Sequence, residues 1–334
     1  MDITIIGAGA VGGMLGALLA SHGHEVSVVE KGARYLQIRE NGLTVTTCKG
    51  ATFEAKVTAF DYIPKRKTEV VILALKSYDL RRVGPQLSDL LDRDSFVLTV
   101  QNGLPWWYFH KHGGGFEPRV LRSVDPNGSL CASVDPDRIL GGVFYPACCL
   151  ESSGRINHIE GWGMPVGELD GSLSQRATSF ADVLIETGFK SRAITDIRSE
   201  LWLKAIGSAT FNPMSVLTDA TMVELCEDPA SRALITDMME ELSAIASKLN
   251  ITFRRSIEQR IAGAKSVGDH RTSMLMDFKN SQPLESEGII GVMLELAEMV
   301  DIKAPSVKSI YELLKFLERK HGPVLFTKQR AKND

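Results

Sequence analysis

The chain has 334 residues, of which 44% are hydrophobic and 24% charged, with a formal net charge of −3 at pH 7. That composition is ordinary for a globular protein with room for two cores, and its weakly acidic balance excludes general nucleic-acid binding. No apolar run reaches the roughly 18 residues that span a bilayer, and no signal-peptide pattern stands at the N-terminus, so no membrane partner is expected and the cytoplasm is the default compartment.

The first predicted element is a strand over residues 3–6. It runs straight into Gly7-Ala8-Gly9-Ala10-Val11-Gly12, and an alanine-rich helix follows as far as Gly23. Strand, G-x-G-x-x-G and helix in that order make a dinucleotide-binding fingerprint. Gly7 allows the tight turn, Gly9 lets the backbone approach a pyrophosphate, and Gly12 lets helix and strand pack closely. The phosphates would rest on the unpaired N–H groups of the helix start. A second strand over 25–29 ends in Glu30, close to the acidic position expected about 20 residues past the glycines. A carboxylate there accepts hydrogen bonds from a ribose 2′-hydroxyl and repels a 2′-phosphate, which favours NAD over NADP. Lys31 pulls the other way.

Further along, residues 70–75 form a continuous apolar run of the kind buried on both faces in a parallel sheet, followed at once by Lys76. Residues 95–100 form another, followed by Gln101-Asn102-Gly103. Two more strands are predicted over 139–150 and 156–167. The glycine turn, Lys76 and Asn102 all follow strand carboxyl ends, where open α/β sheets bind ligands.

From about residue 194 the texture becomes helical, with predicted helices over 201–217, 230–249, 256–267, 287–299 and 306–320. The chain therefore reads as a dinucleotide-binding domain over 1–192, a helical substrate or catalytic domain over 193–322, and a solvated basic tail over 323–334. Five cysteines (Cys48, Cys131, Cys148, Cys149, Cys226) show no C-x-x-C, and the seven histidines give no H-E-x-x-H. The adjacent Cys148 and Cys149, in an apolar stretch, are expected to be buried thiols, and no metal is expected.

In the helical half, Lys204, Ser208 and Asn212 are four apart and project from one helix face. A lysine on such a face beside a cleft is a usable proton donor. Equally, its stem could lie on Leu201 or Trp202 with the ammonium in water. By composition alone Asp277 and Glu285 read as solvated helix-end carboxylates.

Taken together, Gly7–Gly12, Leu75-Lys76, Gln101-Asn102-Gly103, Glu200-x-Trp202-x-Lys204, Asn212-Pro213, Ser273-Met274 with Asp277, Glu285 and Gly291 resemble the ketopantoate reductases (2-dehydropantoate 2-reductases) in nearly the whole length and in order. The resemblance implies a Rossmann-type doubly wound α/β domain followed by an all-α domain like that of 6-phosphogluconate dehydrogenase, with the active site in the cleft between them. It implies that Gly7, Ala8, Gly9, Ala10, Val11 and Gly12 hold the pyrophosphate, with Lys76 and Asn102 near the ribose and nicotinamide of the NAD or NADP cofactor; Glu30 and Lys31 are placed at the ribose by their position after the second strand alone. Lys204 would be the general acid, and Asn212, Ser273, Ser208 and Asn102 would bind the substrate. Glu285 would position Lys204, the substrate or the ribose, or act as a secondary acid/base. A homodimer is also implied.

Three features depart from the family's pattern. Ser208 stands where the first of two asparagines is usual. Glu30-Lys31 stands where an arginine suited to the 2′-phosphate of NADP is usual. The segment 104–138 is longer than usual and carries Trp106-Trp107-Tyr108-Phe109-His110, which either line a larger pocket or pack an added loop on the sheet. The expected function is NAD(P)H-dependent reduction of a 2-oxo acid to a 2-hydroxy acid, with ketopantoate the leading candidate. The alternatives are a catabolic NAD-dependent dehydrogenase of another 2-hydroxy acid and a non-catalytic dinucleotide sensor.

Overall fold

A computed structural model describes residues 1–117 and 119–330, with side chains described through 321. The chain divides into two compact units. The first comprises residues 1–101, 105–120 and 125–197, and the second comprises 102–104, 121–124 and the chain from 198 onward.

The first unit carries β1 (Asp2–Ile6), α1 (Ala10–Ser21), β2 (Glu25–Val29), α2 (Gly32–Asn41), β3 (Leu43–Thr46), β4 (Thr52–Ala55), β5 (Thr58–Phe60) and β6 (Val70–Leu73). It continues through α3 (Ser77–Val83), β7 (Phe96–Thr99), α4 (Ser129–Ser133), β8 (Ile139–Gly142), β9 (Ala147–Leu150), β10 (Arg155–Glu160), β11 (Val166–Glu168) and α5 (Gln175–Glu186). The larger sheet has the order β11-β8-β7-β6-β1-β2-β5, parallel except for β11 against β8. β1 lies between β2 and β6, where the direction of winding reverses, and ligands of doubly wound sheets bind at such a switch point. β6 and β7 are buried at every residue, as their unbroken apolar runs require.

A second sheet, β4-β3-β10-β9, covers the other side of α1. A helix enclosed by sheets on two sides has no polar face to keep wet, which explains why α1 is alanine, valine, leucine, methionine and glycine up to its last residue, Ser21, with no charge. The strands predicted over 139–150 and 156–167 are four short ones shared between the two sheets. The chain leaves the large sheet after Gly142, and Pro146, which cannot donate to a ladder, precedes entry to the small sheet at β9. It returns through Gly161, Gly163 and Pro165 to pair β11 with β8.

The second unit is built on α6 (Ile197–Thr218), α7 (Met222–Glu227), α8 (Pro229–Lys248), α9 (Ile257–Ser266), α10 (Ser273–Lys279), a π-helix (Glu287–Gly291), α11 (Val292–Met299) and α12 (Pro305–Arg330). Their starts are written in the sequence. Thr221 with Glu224 and Ser256 with Gln259 form capping boxes, and Asp228 caps α8 with Pro229 at its first position. α6 continues through Pro213. The periodic segment expected at 287–299 opens as a π-helix and becomes α-helical only at Val292. Helical backbone continues to Arg330, because nothing after Pro323 breaks a helix, so most of the tail expected at 323–334 is α12. Residues 331–334 lie outside the described residues. Among the described residues no helix is long and apolar enough to cross a membrane.

The long aromatic segment packs the first unit. Trp106, Trp107, Tyr108 and Phe109 are all essentially inaccessible, and the Trp107 indole N–H donates to the Thr99 hydroxyl on β7 at 3.0 Å.

Candidate active site

In the first unit the turn after β1 is shaped by close approach. Gly7 has φ +93°, and a Cβ there would stand 2.8 Å from the Ala74 carbonyl oxygen just past β6. A Cβ on Gly12 would stand 1.9 Å from the Gly7 carbonyl oxygen, so helix and turn meet only because both residues are glycine. Gly9 differs, since a Cβ there would meet nothing within 4 Å. It is the N-cap of α1 and offers no side-chain cap, so the first N–H groups of the helix face a backbone cradle that a phosphate fits.

Glu30, directly after β2, closes one end of this turn. Its carboxylate accepts the Ala8 N–H at 2.7 Å and the Lys31 N–H at 2.9 Å, which fixes the carboxylate against the fingerprint. Lys31 is exposed and serves as the N-cap residue of α2. Arg34, which the sequence did not single out, pins the turn from behind. Its Nε donates to the Ala8 carbonyl at 3.0 Å and its Nη1 to the Gly154 carbonyl at 2.9 Å. Burial lowers the Arg34 pKa, and the Glu30 charge opposes that shift. Lys76 is half-buried at the N-cap of α3, just past the end of β6.

In the second unit, Glu200-x-Trp202-x-Lys204 lies in the first turns of α6. Glu200 is buried and ion-paired with Arg254, and Trp202 is fully buried in a T-shaped contact with Phe253. Lys204 is half-buried, and its ammonium donates to the Asn102 side-chain oxygen at 2.7 Å. The ammonium is therefore held by an amide rather than left in water. Ser208 and Asn212 follow at one-turn intervals on α6, with Asn212 buried.

Asn102 belongs to a short stretch that the second unit grips through the π-helix, where the Gly288 carbonyl accepts the Leu104 N–H at 3.3 Å. The Arg122 and Ser123 N–H groups are fixed likewise by the Glu295 carboxylate on α11, at 2.6 and 2.8 Å. Glu285, two residues before Glu287 opens the π-helix, is only 4% exposed. This corrects its reading as a solvated helix-end carboxylate, because the segment enters the core where the π-helix begins. Asp277 is half-buried near the end of α10. Ser273 is exposed at the first position of α10, while the neighbouring Thr272 caps that helix. Among the described residues no group of histidine, cysteine or carboxylate side chains is arranged to hold a metal ion.

Comparison with known proteins assigns both halves of the chain to one family. Residues 3–171 match the family described as ketopantoate reductase PanE/ApbA, and residues 196–318 match its C-terminal counterpart. The chain is 37% identical over 331 residues to the 2-dehydropantoate 2-reductase of Mesorhizobium japonicum, covering 96% of this chain and 99% of that one. A crystal structure from Ralstonia solanacearum MolK2, assigned as a ketopantoate reductase, superposes with a TM-score of 0.90 at 32% identity, covering 96% of this chain and 98% of the other. The fold is also that of D-mandelate dehydrogenase in its ternary structure with NADH and anilino(oxo)acetate, with a TM-score of 0.82 at 23% identity and coverage of 96% and 99%.

Proposed function

The chain belongs to the ketopantoate reductase family, and from that premise we propose that it reduces a 2-oxo acid to the 2-hydroxy acid with a reduced nicotinamide dinucleotide, ketopantoate being the first substrate to try. The observation that carries the reading is the Lys204 ammonium held on the Asn102 amide at 2.7 Å. An ammonium anchored on a fixed acceptor has a set direction, as a proton donor to a carbonyl oxygen must.

The glycine cradle, open at Gly9 and uncapped at the start of α1, suits the pyrophosphate, and Glu30 suits the ribose hydroxyls. When bound, the nicotinamide supplies the hydride. Lys204 gives its proton to the keto oxygen and stabilises the developing alkoxide, then regains a proton from solvent. Asn102 orients the ammonium. Asn212 and Ser208, on the same face of α6, take the substrate's hydroxyl and carboxylate together with Ser273, and buried Glu285 positions the lysine or the ribose.

Glu30 favours NADH over NADPH in this account, because a 2′-phosphate would meet a carboxylate already fixed by two N–H groups. We place the reaction in the cytoplasm, where reduced nicotinamide is held. A homodimer belongs to the proposal, and Leu313 and Phe316, both more than half exposed one turn apart on α12, offer it an apolar face. The test is turnover of a panel of 2-oxo acids with NADH and with NADPH. The proposal expects at least one acid to oxidise a reduced cofactor, and a chain that binds dinucleotide but turns over no acid contradicts it.

A further inference from the structure

The π-helix lies between Glu285 and α11, and it touches more than its own helix. Besides accepting the Leu104 N–H, its Gly288 carbonyl oxygen lies where a Cβ on Gly103 would come within 1.8 Å, and Gly103 has φ +75°. Segment 102–104 is thus pressed against the wide turn through backbone alone. The residue before Gly103 is Asn102, whose side-chain oxygen holds the Lys204 ammonium. Segment 102–104 therefore connects the π-helix to Lys204.

Glu287 opens the π-helix, and its carboxylate turns towards α12. It accepts the Tyr311 hydroxyl at 2.9 and 3.1 Å and pairs with Lys315 at 3.1 Å. Burial and the Glu287 hydrogen bond push the Tyr311 phenol up to about 12, so it stays a donor at any working pH. Gly291, one turn on, leaves room for this carboxylate, since a Cβ there would lie 2.6 Å from Glu287 Oε2. A π-turn is an irregular stretch of helix and needs restraint to persist.

We propose that Glu287, held by Tyr311, is a positioning residue for Lys204: it fixes the π-turn whose Gly288 carbonyl anchors segment 102–104, and so sets where Asn102 holds the ammonium. This rests on the reading of Lys204 as proton donor. Displacement of the Glu287 carboxylate lets the π-turn relax and shifts the lysine without touching the cofactor turn of the first unit.

The experiment uses the full chain and the 2-oxo acid that the parent turns over best, comparing Gly291→Ala, Glu287→Ala, Glu287→Gln, Tyr311→Phe and Lys204→Ala. Gly291→Ala favours helix but evicts the carboxylate, so it should melt no lower than the parent yet lose about 10- to 100-fold in kcat, with the cofactor KM within about twofold. Glu287→Ala should fall with it, and Glu287→Gln, which keeps an acceptor for Tyr311, should recover most of the loss. Tyr311→Phe removes only a hydroxyl, so it remains informative even if an alanine variant fails to fold, and it should lose about fivefold in kcat at unchanged KM. Parent-like kcat in Gly291→Ala and Tyr311→Phe, with Lys204→Ala inactive, overturns the positioning role alone. A Lys204→Ala variant within about tenfold of the parent overturns the proton-donor reading beneath it.

Discussion

Lys204 on α6 and Asn102 after β7 share a 2.7 Å hydrogen bond across 102 positions of sequence. The amide oxygen accepts from the ammonium and so fixes where it sits. Asn102→Ala should therefore lower kcat by about 10- to 100-fold, the cost of a misdirected proton donor, while the chain keeps its melting temperature within a few degrees. Steady-state kinetics beside a thermal melt checks this, and an unchanged kcat removes Asn102 from the orientation of Lys204.

Cofactor choice turns on Glu30, whose carboxylate is occupied by the Ala8 and Lys31 N–H groups. Glu30→Ala removes a fixed negative charge from the place a 2′-phosphate would approach. The ratio of kcat/KM for NADPH to that for NADH should rise by about tenfold, and more at low salt than at high. A ratio that does not move means that Glu30 never meets the ribose.

Trp107 belongs to packing rather than to substrate selection. It is fully buried, with its N–H on Thr99 and its ring close to Gly141. Trp107→Ala should cost about 3–5 kcal/mol of stability in denaturant unfolding. The ranking of 2-oxo acids should stay the same, and a changed ranking at unchanged stability would return the aromatic segment to the pocket.

Cys131 gives a pH dependence with a definite sign. Burial first, and then the nearby Asp125 carboxylate, push its thiol from 9.0 up to about 12. The folded chain therefore holds the thiol proton more tightly than the unfolded chain does. The stability this contributes is whole below about 9 and is lost as pH climbs towards about 12. In native protein near pH 8, alkylation should label the exposed Cys48 well before Cys131. Equal labelling of the two contradicts the burial.

Local chemistry was legible in the sequence, and long-range geometry was not. The glycine turn and the strands β6 and β7 follow from spacing and unbroken apolar runs, because those signals act over a few residues. The small sheet over α1 was missed, because its strands are short and partly exposed and Pro146 breaks the run that suggested one long strand. Burial of Glu285 has no compositional sign, since what buries it is a segment entering a π-helix that a 3.6-residue period does not reveal. The pairing of Lys204 with Asn102 is likewise tertiary. Each residue lay in its own motif, and only the fold brings the two motifs together.

The most direct test is the steady-state rate at which this chain and its Lys204→Ala variant oxidise NADH and NADPH with ketopantoate and related 2-oxo acids. A loss of about 10²–10⁴ in kcat, with cofactor binding kept within about twofold, is the predicted result. A loss below about tenfold would contradict Lys204 as the proton donor.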